Sequence, residues 1–208
     1  MWDELKELQI EMAKRVKIVP LEGNPQFIAG CDVGYLEDKF SIGVFVIMKY
    51  PEFEVIEVAK SIEKVEIPYI SGYLAFREAP ILLKAFQKLK SKPDLILVDG
   101  QGIAHPRKAG LAVHLGVALK IPTIGCAKKP LLRYEGNLSS KRGASFPIIY
   151  QGELVGYVVR TKSWVKPVFV SPGNLITPDE AKTWVLKTAI ESRIPEPLRL
   201  AHKLSKER

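Results

Sequence analysis

The chain has 208 residues, 47% hydrophobic and 26% charged, a mixture suited to one soluble domain over residues 1–208. No run approaches about 18 uninterrupted apolar residues, which excludes a membrane-spanning helix. The N-terminus MWDELKELQIEMAKR lacks the basic-then-apolar order of a secretory leader, so a cytoplasmic location is expected. Two cysteines and three histidines argue against a structural zinc site, and Cys31 and Cys126 read as buried thiols of a reducing compartment. The formal net charge is +8. Residues 127–166 alone hold Lys128, Lys129, Arg133, Lys141, Arg142, Arg160, Lys162 and Lys166 against Glu135 and Glu153. Such an excess suits phosphate contact, although a solvated basic face has the same composition.

Residues 2–17 read as an amphipathic helix with Leu5, Leu8, Met12 and Val16 near one face. Three strands follow, over 26–35, 40–49 and 53–63. Their short connections favour an antiparallel meander. Residues 67–72 form a loop and 73–90 a helix. LILVD at 95–99, a helix near 109–120 and a strand at 121–126 have the spacing of a parallel crossover. Residues 127–144 read as a basic loop or broken helix, with strands near 146–150, 154–161 and 167–170. Thr177, Pro178 and Glu180 open a long helix ended by Arg193-Ile-Pro-Glu-Pro, and a short helix is expected after Leu198. The sum is an α/β domain: three antiparallel strands extended by parallel ones, with helices on both faces.

Three acids occupy positions that should be apolar or that face a crevice. Asp32 lies inside the apolar run FIAGCDVGY, where an unpaired carboxylate is costly. It is either a ligand or an aspartate bonded to backbone near Gly34. Asp99 ends a strand of the crossover, the end where α/β proteins bind ligands, or it merely opens an Asp-Gly turn. Glu78 shares a helix face with Leu74, Leu82, Ala85 and Leu89, as a ligand or as a salt-bridged edge residue. One explanation covers all three. Grouped carboxylates raise one another's pKa unless a cation holds them, and hard oxygen ligands suit Mg²⁺ or Mn²⁺. Such ions promote phosphodiester hydrolysis.

The loops around these acids supply further candidates. In DGQGIAHPRKAG the glycines permit close backbone approach, and His105, Arg107 and Lys108 add donors. His105 is either a donor at the mouth or a surface histidine. Lys128 follows its strand at the same end as Asp99 and suits a scissile phosphate or simple solvation. His202 is remote in sequence. The loop carrying Pro68, Tyr69 and Ile70 fits a wedge that opens a duplex, and equally a staple for the following helix.

CDVGY at 31–35, PYISGYLAFRE at 68–78, DGQGIAHPRKAGLAVHLG at 99–116, PTIGCAKK at 122–129, VSPGN at 170–174 and RIPEPLRLAH at 193–202 together resemble the endonuclease V family. The resemblance implies a ribonuclease-H-like fold. It implies a Mg²⁺-dependent enzyme, with Mn²⁺ as substitute, that nicks DNA at the second phosphodiester bond 3′ to a deoxyinosine and starts its repair. Products would carry 3′-hydroxyl and 5′-phosphate ends. Some relatives prefer inosine in RNA. The metal-binding acids implied are Asp32, Glu78 and Asp99, and the wedge is Pro68, Tyr69 and Ile70. Gly72, Leu74, Gly100 and Gly110 would line the hypoxanthine pocket, where backbone donors around Gly100 and Gly110 are expected to read the base. Lys128 would lie near the cut phosphate, and His105 and His202 in the catalytic neighbourhood. A monomer acting on DNA, without membrane contact, is expected. Two departures stand out: Ser71 replaces a frequent proline, which loosens the wedge loop, and Lys129 replaces a familiar serine. A different ribonuclease-H-like nuclease would leave wedge and glycines unexplained. A non-catalytic binder would not need acids beside a phosphate path, and a nucleotide-metabolising enzyme does not account for the basic segment.

Overall fold

The computed structural model describes residues 2–37 and 39–207. A single eight-stranded sheet runs through the molecule. The elements are α1 (Trp2–Lys14), β1 (Phe27–Leu36), β2 (Phe40–Lys49), β3 (Glu54–Lys64), α2 (Leu74–Phe86), β4 (Leu95–Val98), α3 (Leu111–Leu119), β5 (Thr123–Ala127), β6 (Ser145–Tyr150), β7 (Glu153–Val159), β8 (Val168–Asn174), α4 (Pro178–Thr188) and α5 (Glu196–Ser205). The strand order is β3-β2-β1-β4-β5-β8-β7-β6. β1, β2 and β3 form the expected antiparallel meander, and β4 and β5 continue it in parallel. This is the ribonuclease-H-like arrangement. The last three strands then reverse, β8 pairing antiparallel with β5 and carrying β7 and β6 to the far edge.

Apolar runs take the central places. β2 is buried from Ser41 to Met48, and all four residues of β4 are buried, as strands covered on both faces require. One core lies between the sheet and α2 and α3, around Phe45, Leu82, Ile96 and Leu115. A second lies on the opposite face, where Trp184, Val185 and Leu198 of α4 and α5 pack on Ile28, Leu97 and Ile124. Cys31 and Cys126 are buried free thiols. α4 begins with the expected capping box: Thr177 Oγ1 accepts from the Glu180 amide, and Glu180 Oε2 accepts from the Thr177 amide.

Two expectations are corrected. α1 ends at Lys14 rather than residue 17, and its inward face is offset: Leu8 is 55% exposed while Gln9 is fully buried. α4 stops at Thr188 instead of reaching Arg193, because residues 189–195 supply carbonyls to Arg142, Lys162 and the Thr161 hydroxyl. Of the two alternatives for the basic segment, the loop holds: residues 128–144 contain no helix. Among the described residues, no helix is long and apolar enough to cross a membrane.

Candidate active site

The register of the parallel pair β1–β4 builds the site. Cys31 lies opposite Val98, so Asp32 and Asp99 are the next neighbours across the two strands, and the Asp99 amide donates to Cys31 O at 3.2 Å. Side chains alternate along a strand, so Gly30, Asp32 and Gly34 share the face that α5 covers. A Cβ at Gly30 would fall 2.2 Å from the Pro197 carbonyl carbon, and one at Gly34 would fall 2.0 Å from Ser205 O. The two glycines therefore let α5 lie directly on β1. That contact brings His202 Nδ1 to 2.7 Å from Asp32 Oδ2, with the Ser205 hydroxyl 3.3 Å from the same oxygen.

Ligand atoms of Asp32, Asp99 and His202 lie within 4.8 Å of one another. Glu78 reaches the same cleft from α2, on the opposite face of the sheet. Its Oε1 accepts the Tyr35 hydroxyl at 2.7 Å, and the Arg77 guanidinium lies 4.3 Å over the Tyr35 ring. Burial pushes the Glu78 carboxyl up to about 8, with the charges of Asp32 and Asp99 adding to the effect and Tyr35 opposing it. Burial, then the Asp99 charge, also raises Asp32, against the lowering contact with His202. Two buried acids held above their ordinary range beside a third, with one imidazole, form a donor set suited to a hard divalent cation.

Lys128 Nζ lies 2.7 Å from Asp99 Oδ2, at the end of β5. Arg193 fixes the backbone there, donating to Lys128 O at 2.8 Å and to Pro167 O at 2.6 Å. The basic segment is thus partly spent on structure. Arg142 holds Leu186 O and Ala189 O, Arg160 holds Val165 O and Ser139 O, and Lys162 holds Glu191 O. These side chains keep their positive charge, while part of their hydrogen-bonding capacity is committed to backbone carbonyls.

A cavity of about 450 Å³ adjoins the carboxylates. Gly72, Leu74, Gly100 and Gly110 all line it, with Tyr69, Asp99, His105 and Lys128. Tyr69 is 66% exposed, Pro68 is exposed and Ile70 half-buried. Gly110 cannot read a base through its amide, because that N–H donates to Gly102 O at 3.1 Å. The position excludes a side chain, since a Cβ would fall 2.2 Å from Gln101 O.

His105 stands apart from the acids' own cleft. Its Nδ1 accepts from the Arg107 amide at 3.0 Å and its Nε2 lies 3.0 Å from Gly72 O, so the neutral ring carries its proton on Nε2. Burial pushes its pKa down to about 4, consistent with that neutral form. Tyr35, Arg193 and Gln9 make contacts around the site that were not expected of them. Tyr35 and Arg193 lie inside the quoted motifs. Gln9 carried no signal beyond a polar residue at i+4 from Leu5.

A profile of the endonuclease V family matches residues 10–203. The endonuclease V of Dictyoglomus thermophilum is 47% identical over 99% of this chain and 90% of its own length. That of Gloeobacter violaceus is 43% identical over 98% and 86%. The crystal structure of the Streptomyces avermitilis endonuclease V superposes with a TM-score of 0.93 at 36% identity, covering 99% of this chain and 92% of that one. Ciona intestinalis endonuclease V, solved with a 24mer DNA containing an inosine followed by a ribo-adenosine, gives 0.85 at 28% identity, covering 98% and 95%.

Proposed function

Because the chain belongs to the endonuclease V family, we propose that it is a monomeric DNA repair endonuclease directed at deoxyinosine. It hydrolyses the second phosphodiester bond 3′ to the lesion and leaves 3′-hydroxyl and 5′-phosphate ends. The observation that carries this reading is a shared wall. Asp99, Tyr69 and Leu74 border both the cleft of the acids and the neighbouring cavity, which is ample for a purine. A base turned into that cavity leaves its own strand beside the carboxylates.

In this reading Tyr69, at the tip of its loop with Pro68 and Ile70, fills the space the base vacates. Gly72, Leu74, Gly100 and Gly110 give the pocket walls without bulk. A divalent cation, Mg²⁺ or Mn²⁺, held by Asp32, Asp99 and Glu78 with His202 completing the donor set, would acidify water and steady the leaving oxygen. His202 and Ser205 hold the Asp32 carboxylate in place. Lys128 is the cation we assign to the scissile phosphate.

One assay tests the reading. Matched oligonucleotides carrying inosine, uracil, an abasic site or no lesion, in DNA and in RNA, are incubated with the protein and Mg²⁺. Preferential nicking of inosine DNA is expected, lost on chelation and restored by Mg²⁺. Preference for inosine RNA would move the substrate class. Binding without nicking would make the protein a binder. Asp32→Ala and Asp99→Ala should abolish nicking and keep DNA binding; normal nicking by either sinks the metal assignment.

A further inference from the structure

α1 contributes no residue to the cleft of the carboxylates, yet its one fully buried side chain is an amide. Gln9 is 0% exposed, at the centre of the inward stripe of Leu5, Met12 and Val16. A buried amide is costly unless its hydrogen bonds are made. Gln9 makes them to two segments distant in the chain. Its Nε2 donates to Gly72 O at 2.9 Å, and its Oε1 accepts from Arg107 Nε.

Gly72 O is the hub. Arg107 Nη2 donates to it at 2.8 Å and His105 Nε2–H at 3.0 Å, so three donors converge on one carbonyl that has two lone pairs. The Arg107 guanidinium also lies 4.5 Å over the Tyr73 ring, and Tyr73 meets the edge of Trp2 at 5.5 Å between centroids. Gly72 has φ +83, the left-handed region, so the chain turns sharply at the residue being held. Immediately before it lies the loop whose exposed Tyr69 is the wedge. Ser71 occupies a position where a proline would have stiffened that loop from within. Here the stiffness comes from outside, through Gln9, His105 and Arg107.

We propose that Gln9, acting through Arg107 and His105 on the Gly72 carbonyl, is a positioning residue for base discrimination: α1 sets the height of the wedge over the lesion pocket. The inference rests on the inosine-directed reading above. It makes the N-terminal helix part of the specificity machinery, although it supplies no group to substrate.

Gln9→Glu tests it with little change of shape. The carboxylate still accepts from Arg107 but cannot donate to Gly72 O, and it sets two acceptors face to face. Gln9→Leu removes both bonds and keeps the packing. Arg107→Lys leaves the sequence of α1 unchanged, removes the donor to Gln9 Oε1 from the opposite side, and carries the same expectation, so instability of the Gln9 variants does not shelter the idea. Three quantities are measured: the ratio of kcat/KM for inosine over undamaged DNA, the fluorescence of 2-aminopurine beside the lesion in chelator, and the thermal shift produced by Mn²⁺. The ratio should fall about ten- to a hundredfold, the loss expected for one charge-assisted bond network. The 2-aminopurine signal of base turning-out should fall with it, while the Mn²⁺ shift stays at its wild-type value. A discrimination ratio kept in full by all three variants overturns the inference. So does a loss matched by loss of the Mn²⁺ shift, which marks general damage. A wild-type protein with no inosine preference overturns the functional reading and the inference with it.

Discussion

Gly34→Ala isolates the contact that assembles the candidate metal site. Gly34 is two residues from Asp32 on the strand face beneath α5, and an added Cβ would lie 2.0 Å from Ser205 O. Ordinary contact begins at 3.4 Å, so the helix must withdraw by about 1.4 Å at Ser205. Ser205 is bonded to His202 O at 2.9 Å, within the same turn, so His202 moves with it. The His202–Asp32 separation then grows from 2.7 Å toward about 4 Å, beyond hydrogen-bond range. Overpacking of this kind costs about 1–3 kcal/mol, which leaves the domain folded. A misplacement of about 1 Å in a reacting constellation costs roughly a hundredfold in rate. The expected outcome is a folded protein, by circular dichroism and melting, that nicks inosine DNA about a hundredfold more slowly and shows a smaller Mn²⁺-induced thermal shift. A wild-type rate together with a wild-type Mn²⁺ response would refute the argument that these glycines set the His202–Asp32 distance.

Two further predictions concern buried titrating groups. In metal-free protein the Glu78 carboxyl is raised to about 8 from 4.5, so the folded state holds this proton more tightly than the unfolded chain. Its contribution to stability is complete below pH 4.5 and is lost as pH rises toward about 8. Melting temperature measured in chelator should decline across that window, and Glu78→Gln should flatten the decline; superimposable profiles would dismiss the assignment. His114 is buried edge-on to Phe76, with Nε2 lacking a hydrogen-bond partner among the described residues and its pKa pushed down to about 4 by burial. Its share of stability is present above pH 6.5 and lost as pH falls toward about 4. His114→Leu should remove that acid sensitivity and raise stability at neutral pH by on the order of 1 kcal/mol. A substantial loss of melting temperature at pH 7 would show instead that the imidazole nitrogen is satisfied in solution.

The order and type of nearly every element were legible in the chain, because apolar runs, breakers and the Thr177 capping box are local signals. It also marked Asp32 and Asp99, since a carboxylate inside or at the end of an apolar strand contradicts its surroundings. Tertiary structure decided what joins them. Strand register sets Asp32 beside Asp99, and Gly30 and Gly34 bring a helix 170 residues distant onto Asp32. The reversal of β8 against β5, which places Pro167 beside Lys128 so that Arg193 binds both carbonyls, is a long-range pairing with no local signature. Gln9 shows the same limit most sharply. A polar residue on a helix reads as solvent-facing, and only the carbonyl of Gly72, 63 residues away, makes its burial favourable. Propensity and periodicity report the energy of a segment in an average environment. The partners that make a buried amide or a crowded carboxylate affordable are specified by the fold alone.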